Sequence, residues 1–240
     1  MTTIALNLQS VRGRIAAACA AAGRDVNEVT LLCVSKTFGP DAVREAFAAG
    51  ESAFGENYIQ EGVEKQALLA DLPLQWHCIG PIQSNKTRLV ATHFAWAHGV
   101  ERLKIAQRLS EQRPEHLPPL QVCIQVNIDG GASKAGVAPG EVQALAREVM
   151  ALPHLKLRGL MTIPEPAESF EAQLAVHRKA RALFDDLRAA GLPLDTLSMG
   201  MTADLEAAIH AGSTMVRVGT AVFGTRGRKI ESPGPPPPRG

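Results

Sequence analysis

The sequence predicts a single-domain α/β protein, a (β/α)8 barrel of the TIM type, and three observations carry that expectation. Eight short apolar runs alternate with segments of helical periodicity. The runs recur at intervals of roughly 25–30 residues, which suits one strand–helix unit of such a barrel. The chain of 240 residues matches the size of that fold and shows no internal linker. An open doubly wound sheet has the same alternation, but the even spacing and the count of eight favour closure.

A helix comes first. Ile4, Leu8, Val11, Ile15 and Cys19 recur at helical spacing, and Gly23 supplies the stop. Arg12 and Arg14 ahead of an alanine-rich run faintly resemble a secretion signal, yet the periodicity begins before them, so the segment reads as an amphipathic helix. Thr30 to Ser35 is the first strand, buried on both faces, and it runs straight into Lys36. Gly39-Pro40 then opens a helix to Ala49. Ser52 to Glu56 and Leu74 to Ile79 are the second and third strands, with a helix from Ile59 to Leu69 between them. Phe94 to Ala97 is the fourth, followed by a helix over Val100 to Glu111.

Leu120 to Ile128 is the most strand-like run in the chain and leads into a Gly-rich loop, Asp129 to Gly136. Pro139 opens a helix to Leu152, and Leu157 to Ile163 is the sixth strand. A long helix from Ser169 to Ala190 ends at Gly191, before a seventh strand over Thr196 to Met199. Thr202 is expected to N-cap a helix over Ala203 to His210. Met215 to Val218 is the eighth strand and enters Gly219-Thr220. Residues 1–227 are thus expected to form the barrel with its leading helix. Residues 228–240, with prolines from 235 to 238, are expected to be a disordered tail.

Composition narrows the function. The formal net charge is +1, from 25 basic and 24 acidic residues, so no basic surplus points to nucleic acid. No apolar run approaches the length of a membrane span. The four cysteines form no CxxC pair, and Cys33, Cys78 and Cys123 sit in apolar runs, which fits core thiols in a reducing, cytoplasmic compartment. Seven scattered histidines form no metal-binding motif, and no metal is expected.

The chemistry gathers at the carboxyl ends of the strands, where barrels bind ligands. A closed barrel brings Lys36, Asn57, Asn85, Asn127, Met161, Ser198 to Thr202 and Arg217 to Thr220 to one rim or just inside it. A lysine there needs a partner, water or a neutral state; a desolvated, neutral amine attacks carbonyls, whereas a snorkelling lysine pairs with a carboxylate. Ser198-Met199-Gly200-Met201-Thr202 and Gly219-Thr220 follow strands seven and eight, where many barrels hold phosphate. Arg217 alternates with Val216 and Val218 and therefore faces inward, toward a carboxylate or toward a cofactor's ring nitrogen. A lysine for an aldehyde, a phosphate cup and an arginine for a pyridine nitrogen together describe pyridoxal 5′-phosphate.

Val34-Ser35-Lys36-Thr37, Gly55-Glu56-Asn57-Tyr58, His77 through Lys86, Leu157 through Met161, Leu197 through Asp204 and Val216 through Gly224 are similar to motifs of the pyridoxal phosphate homeostasis proteins, the YggS/PROSC family. The resemblance spans about residues 30 to 227. It implies a barrel similar to the N-terminal domain of alanine racemase. It also implies that Lys36 holds the cofactor as an internal aldimine, that Arg217 faces the pyridine nitrogen and that Asn57 lies near the ring. Ser198, Gly200, Met201, Thr202, Gly219 and Thr220 would line the phosphate, with Met161 and Met199 completing the contact set. Cys78 and Thr202 depart from the residues common in the family, an aromatic and a serine, without changing the chemistry.

Family members bind and buffer the cofactor with no established reaction, which implies a carrier serving apo enzymes that depend on pyridoxal phosphate. The alternative is a weak amino-acid racemase using the same aldimine. A racemase needs an acid/base group on both faces of its substrate. Tyr58 is the only tyrosine, and a packing role at the rim is expected of it. Alanine racemase takes its tyrosine base from an added β domain that also shapes its dimer, and the lack of that domain favours a monomer. A third reading, from another class, is a barrel enzyme on a phosphorylated sugar with Lys36 as substrate lysine.

Overall fold

The computed structural model describes residues 2–131 and 135–224; the expected tail at 228–240 lies outside them. The strands are β1 (Thr30–Val34), β2 (Ala53–Glu56), β3 (Gln75–Cys78), β4 (Trp96–Val100), β5 (Leu120–Val126), β6 (Leu155–Thr162), β7 (Thr196–Ser198) and β8 (Met215–Val218). All pair in parallel in chain order, and β8 closes on β1 with Thr30 beside Met215 and Cys33 beside Val218. The helices are α1 (Thr3–Ala21), α2 (Pro40–Ala48), α3 (Ile59–Leu68), α4 (Thr87–His93), α5 (Leu103–Gln112), α6 (Val142–Met150), α7 (Phe170–Ala189), α8 (Leu205–His210) and the single turn α9 (Thr220–Phe223). The expected barrel is therefore the observed one.

Alternation along the strands sorts two kinds of core. Outward residues such as Cys33, Phe54, Ala97, Leu197, Val216 and Val218 join the layer between barrel and helices. Inward residues form two smaller clusters, one of Leu32, Val34, Ile79 and Met215 and one of Trp96, Cys123 and Met161. The barrel interior is thus filled by side chains and is not a pore. α1 contributes Leu8, Val11, Ile15, Ala18 and Cys19 to the outer layer, the stripe its periodicity predicts.

Two expectations need correction, and one element was not expected. β4 continues to Val100, and α5 begins at Leu103 rather than at Val100. All five residues of β4 are buried, so the wall keeps a histidine and a glycine that look like a strand's end in sequence. Thr202 does not cap α8: Asp204 occupies that position, and its carboxylate turns back to accept the Met201 N–H at 2.7 Å. α9 was not foreseen; four residues are too short for a periodic signal.

Buried charge holds the turn after β1. Lys65, from α3, donates to the Ser35 carbonyl at 2.9 Å, to Glu56 Oε1 at 2.6 Å and to Glu61 Oε1 at 3.2 Å. Ser35 Oγ donates to the same Glu56 oxygen at 2.6 Å, and the Thr37 N–H donates to Glu61 Oε1 at 2.6 Å. Thr37 has φ 67°, a left-handed conformation costly for a β-branched residue. The residues on both sides of Lys36 are therefore tied to one ionic cluster. Burial pushes the Glu56 carboxyl up, while Lys65 and the Ser35 hydroxyl pull it back.

The four cysteines are free and buried, as expected for core thiols. Burial pushes Cys78 and Cys123 up to about 12 and raises Cys33 further, leaving the thiols protonated at neutral pH.

Two predictions follow from the packing. A Cβ on Gly159 would lie 1.6 Å from the Thr196 carbonyl oxygen of the neighbouring strand. Gly159→Ala should cost about 3 kcal/mol or more, lowering the thermal midpoint by about 6–12 °C; a midpoint within about 2 °C of the wild type would contradict the β6–β7 approach. Lys65→Met should cost about 3–5 kcal/mol in denaturant unfolding, because it strands the Glu56 carboxylate. Adding Glu56→Gln should recover part of that loss.

Candidate functional site

A cleft of about 260 Å³ opens at the carboxyl ends of the strands and is lined by Val34, Lys36, Asn57, Ile79, Ile163, Met201, Thr202, Ala203, Arg217, Gly219 and Thr220. Seven of the residues predicted for binding converge there: Lys36, Asn57, Met201, Thr202, Arg217, Gly219 and Thr220. The β1–β8 register explains the meeting of the two cations, since Leu32 pairs with Arg217 and Gly219 lies against Val34, two residues before Lys36.

Lys36 is exposed, not desolvated, and has no ion-pair partner among the described residues. Neither the burial nor, among the described residues, the rim carboxylate considered for it is present; its side chain is exposed. A second recess, lined by Val34, Thr37, Phe38, Gly219, Thr220 and Gly224, meets the cleft at Lys36.

Arg217 is 4% exposed. Its Nη1 donates to Ser198 Oγ at 2.8 Å and its Nη2 to the Thr162 carbonyl at 2.8 Å. No carboxylate pairs with it among the described residues, so the ordinary fate of a buried arginine does not apply. Burial lowers its pKa to about 10, with Asp204 working in the opposite direction, and it stays a cation at neutral pH. Its remaining N–H groups are available to a ligand acceptor in the cleft.

The two loops expected to bind phosphate also meet. The N–H groups of Thr202 and Ala203 are used by no hydrogen bond within the described chain. Gly200 has φ 92°, and a Cβ there would come within 2.4 Å of Ala208 Cβ, so only glycine makes this turn. Asp204 braces the turn, because its other oxygen lies 2.8 Å from His177 Nε2. The result is a polar pocket edge with unsatisfied donors, suited to an anion.

Other predicted residues stand behind the cleft. Ser198 is fully buried and reaches it only through Arg217. Met161 packs inside the barrel with Trp96 and Cys123, and Met199 packs between sheet and helices. Gly200 shapes the turn and accepts the Arg217 backbone N–H at 2.9 Å. Asn127 closes its own loop, donating to the Gly131 carbonyl at 2.8 Å and accepting from the Gly130 N–H at 3.1 Å. Asn85 sits in a short 3-10 turn away from the lining. Tyr58 is 59% exposed, so it neither packs at the rim nor lines the cleft.

Sequence reasoning missed the groups beneath Arg217. His98 Nδ1 lies 3.1 Å from Ser198 Oγ, and His77 lies beyond it. Their only signal was position, a histidine at an inward site of a strand. Among the described residues no cluster of histidine, cysteine and carboxylate side chains could hold a metal, and no helix is long and apolar enough to cross a membrane.

The family model described as alanine racemase, N-terminal domain, matches residues 6–227. A pyridoxal phosphate homeostasis protein of Pseudomonas aeruginosa is 62% identical over 226 residues, covering 94% of this chain and 97% of the relative. Its counterpart in Escherichia coli K12 is 52% identical over 229 residues, covering 94% and 98%. PipY of Synechococcus elongatus, solved with PLP bound, superposes with a TM-score of 0.81 at 37% identity, covering 92% of this chain and all of that one, 100%. An alanine racemase of Clostridium difficile shares the fold at a TM-score of 0.68 and 18% identity, covering 83% of this chain and 53% of that chain. With its barrel, its cleft and relatives this similar over nearly their whole length, the chain belongs to the pyridoxal phosphate homeostasis protein family, within the wider group built on the alanine racemase N-terminal domain.

Proposed function

We infer that this protein binds pyridoxal 5′-phosphate as a Schiff base on Lys36 and holds it for delivery, without turning over a substrate. The observation that carries the carrier half is the cleft's ionisable inventory. Among the described residues, Lys36 and Arg217 are the only ionisable side chains lining it. Moving a proton to and from a substrate carbon needs groups near neutral pKa on both faces. Arg217 cannot serve as a base, and Tyr58 does not line the cleft.

The residues present fit the cofactor by the chemistry of their donors. The exposed Lys36 amine suits an aldehyde: condensing with one, it would form a C=N bond and release water, and water would reverse the step. The free N–H groups at Thr202 and Ala203, with Gly219 and Thr220, suit the phosphate dianion. Arg217 offers only donors, so it suits an unprotonated ring nitrogen. When bound, the cofactor supplies an aldehyde and an electron sink, and an arginine at the nitrogen weakens that sink. Asn57 lines the same cleft and would stand near the ring. Met161, Ser198, Met199 and Gly200 act from behind it. The reading includes a monomer in the cytoplasm, with apo enzymes dependent on pyridoxal phosphate as the acceptors.

The first experiment is an absorption spectrum of the protein with pyridoxal phosphate, before and after borohydride. A yellow band that borohydride bleaches is expected, with the cofactor left on the peptide containing Lys36. Lys36→Ala should lose that label; a colourless protein that takes up no added cofactor would overturn the reading. Incubation with a panel of amino acids in deuterated water tests the carrier half. Exchange of the α-proton should not exceed that caused by free cofactor, and clear excess would favour the racemase alternative.

A further inference from the structure

Beneath the cleft a line of hydrogen bonds crosses the barrel. Arg217 Nη1 donates to Ser198 Oγ at 2.8 Å, and Ser198 Oγ lies 3.1 Å from His98 Nδ1. His98 Nε2 lies 3.0 Å from His77 Nδ1, and His77 Nε2 lies 3.1 Å from Gln75 Oε1. The residues come from β8, β7, β4 and β3. Arg217, Ser198, His98 and His77 are buried, while Gln75 is exposed at the start of its strand. The line therefore joins the cleft to the opposite mouth of the barrel.

Donor and acceptor counting gives the line one direction. A guanidinium can only donate, so Ser198 Oγ accepts from it, and among the described residues His98 Nδ1 is the acceptor within reach of the hydroxyl's own proton. His98 then carries its proton on Nε2 and donates to His77 Nδ1. His77 in turn carries its proton on Nε2 and donates to Gln75 Oε1. No other arrangement satisfies every buried atom. It requires both imidazoles neutral, and burial holds His77 down at about 3 and His98 well below its ordinary range, with His77 and Arg217 adding to the effect on His98. His77 is further fixed by stacking on Trp96, with ring centroids 5.1 Å apart and planes 7° from parallel.

We propose that Gln75, His77, His98 and Ser198 form a one-way hydrogen-bond relay that positions Arg217 for the cofactor's ring nitrogen, with His98 as its central positioning residue. The proposal rests on the cofactor reading above. Ser198 is a usable acceptor for Arg217 only while its proton has somewhere else to go, and His98 supplies that place. With the Thr162 carbonyl on Nη2, the relay pins two nitrogens of the guanidinium and fixes its plane. The remaining donors then point at a set place in the cleft.

The test compares His98→Gln, His98→Met and Ser198→Ala with the wild type. A glutamine side chain can accept at one atom and donate at the other, as the neutral imidazole does; methionine cannot. The readouts are the rate of pyridoxal phosphate release into a carbonyl trap and the circular dichroism of the bound chromophore, with thermal unfolding as the check on folding. His98→Met and Ser198→Ala should speed release about 10- to 100-fold and weaken the dichroic band, and His98→Gln should stay within about threefold of the wild type. A folded His98→Met protein with unchanged release and dichroism overturns the proposal, and so does a His98→Gln protein that behaves like His98→Met.

Imidazole nitrogen resonances of the wild type without cofactor give a second reading that no substitution can confound. Both histidines should be neutral with the proton on Nε2, and a proton on Nδ1 of either overturns the relay. A wild-type protein that takes up no pyridoxal phosphate overturns the cofactor reading instead, while the resonances still decide whether the relay exists.

Discussion

The parallel pairing of β8 with β1 is the constraint on which the site depends. It turns an α/β chain into a closed ring and leaves no sheet edge. It also sets the first and last strands side by side, so that Lys36 and Arg217, at opposite ends of the barrel's sequence, face one cleft. The tight turn after β1 then aims the lysine. That turn is held from both sides, through Ser35 and Thr37, by Glu56, Lys65 and Glu61. A left-handed threonine persists there because its surroundings over-determine it.

The two cations are handled in opposite ways. Lys36 is exposed and has no ion-pair partner among the described residues. Arg217 is sealed in the barrel and satisfied by a hydroxyl and a carbonyl, neither of which carries charge. A carboxylate partner would have compensated its charge better, but would also have occupied the face turned to the cleft. Burial without an ion pair keeps the guanidinium directional and available to a neutral acceptor.

Much of this was legible in the sequence. Even strand spacing gave the barrel, and the end of the first apolar run gave Lys36. Alternation alone placed Arg217 inside, with Val216 and Val218 in the outer layer. The misses share a cause: sequence patterns report which face a residue takes, not what it meets there. His98 and Gly99 read as a strand's end, although both lie in the buried wall. Thr202 read as a helix cap, whereas Asp204, equally suited by composition, took the position and used its carboxylate on Met201 instead. Met161 does face inward but is spent on packing with Trp96 and Cys123, while Met199, one residue past inward Ser198, is sent by a strand's period of two into the outer layer. The buried Lys65–Glu56 pair joins a helix to a strand, and no local pattern announces it.

The burial of the thiols bears on chemical selectivity. A sulfur nucleophile adds to an aldehyde as readily as an amine does, but through its thiolate. In Cys33, Cys78 and Cys123 burial both hides the sulfur and keeps its proton on, so these side chains are silent toward electrophiles at neutral pH. On the Schiff-base reading proposed above, such a barrel keeps the competing nucleophiles in its own walls out of the reaction, and leaves the carbonyl to an amine.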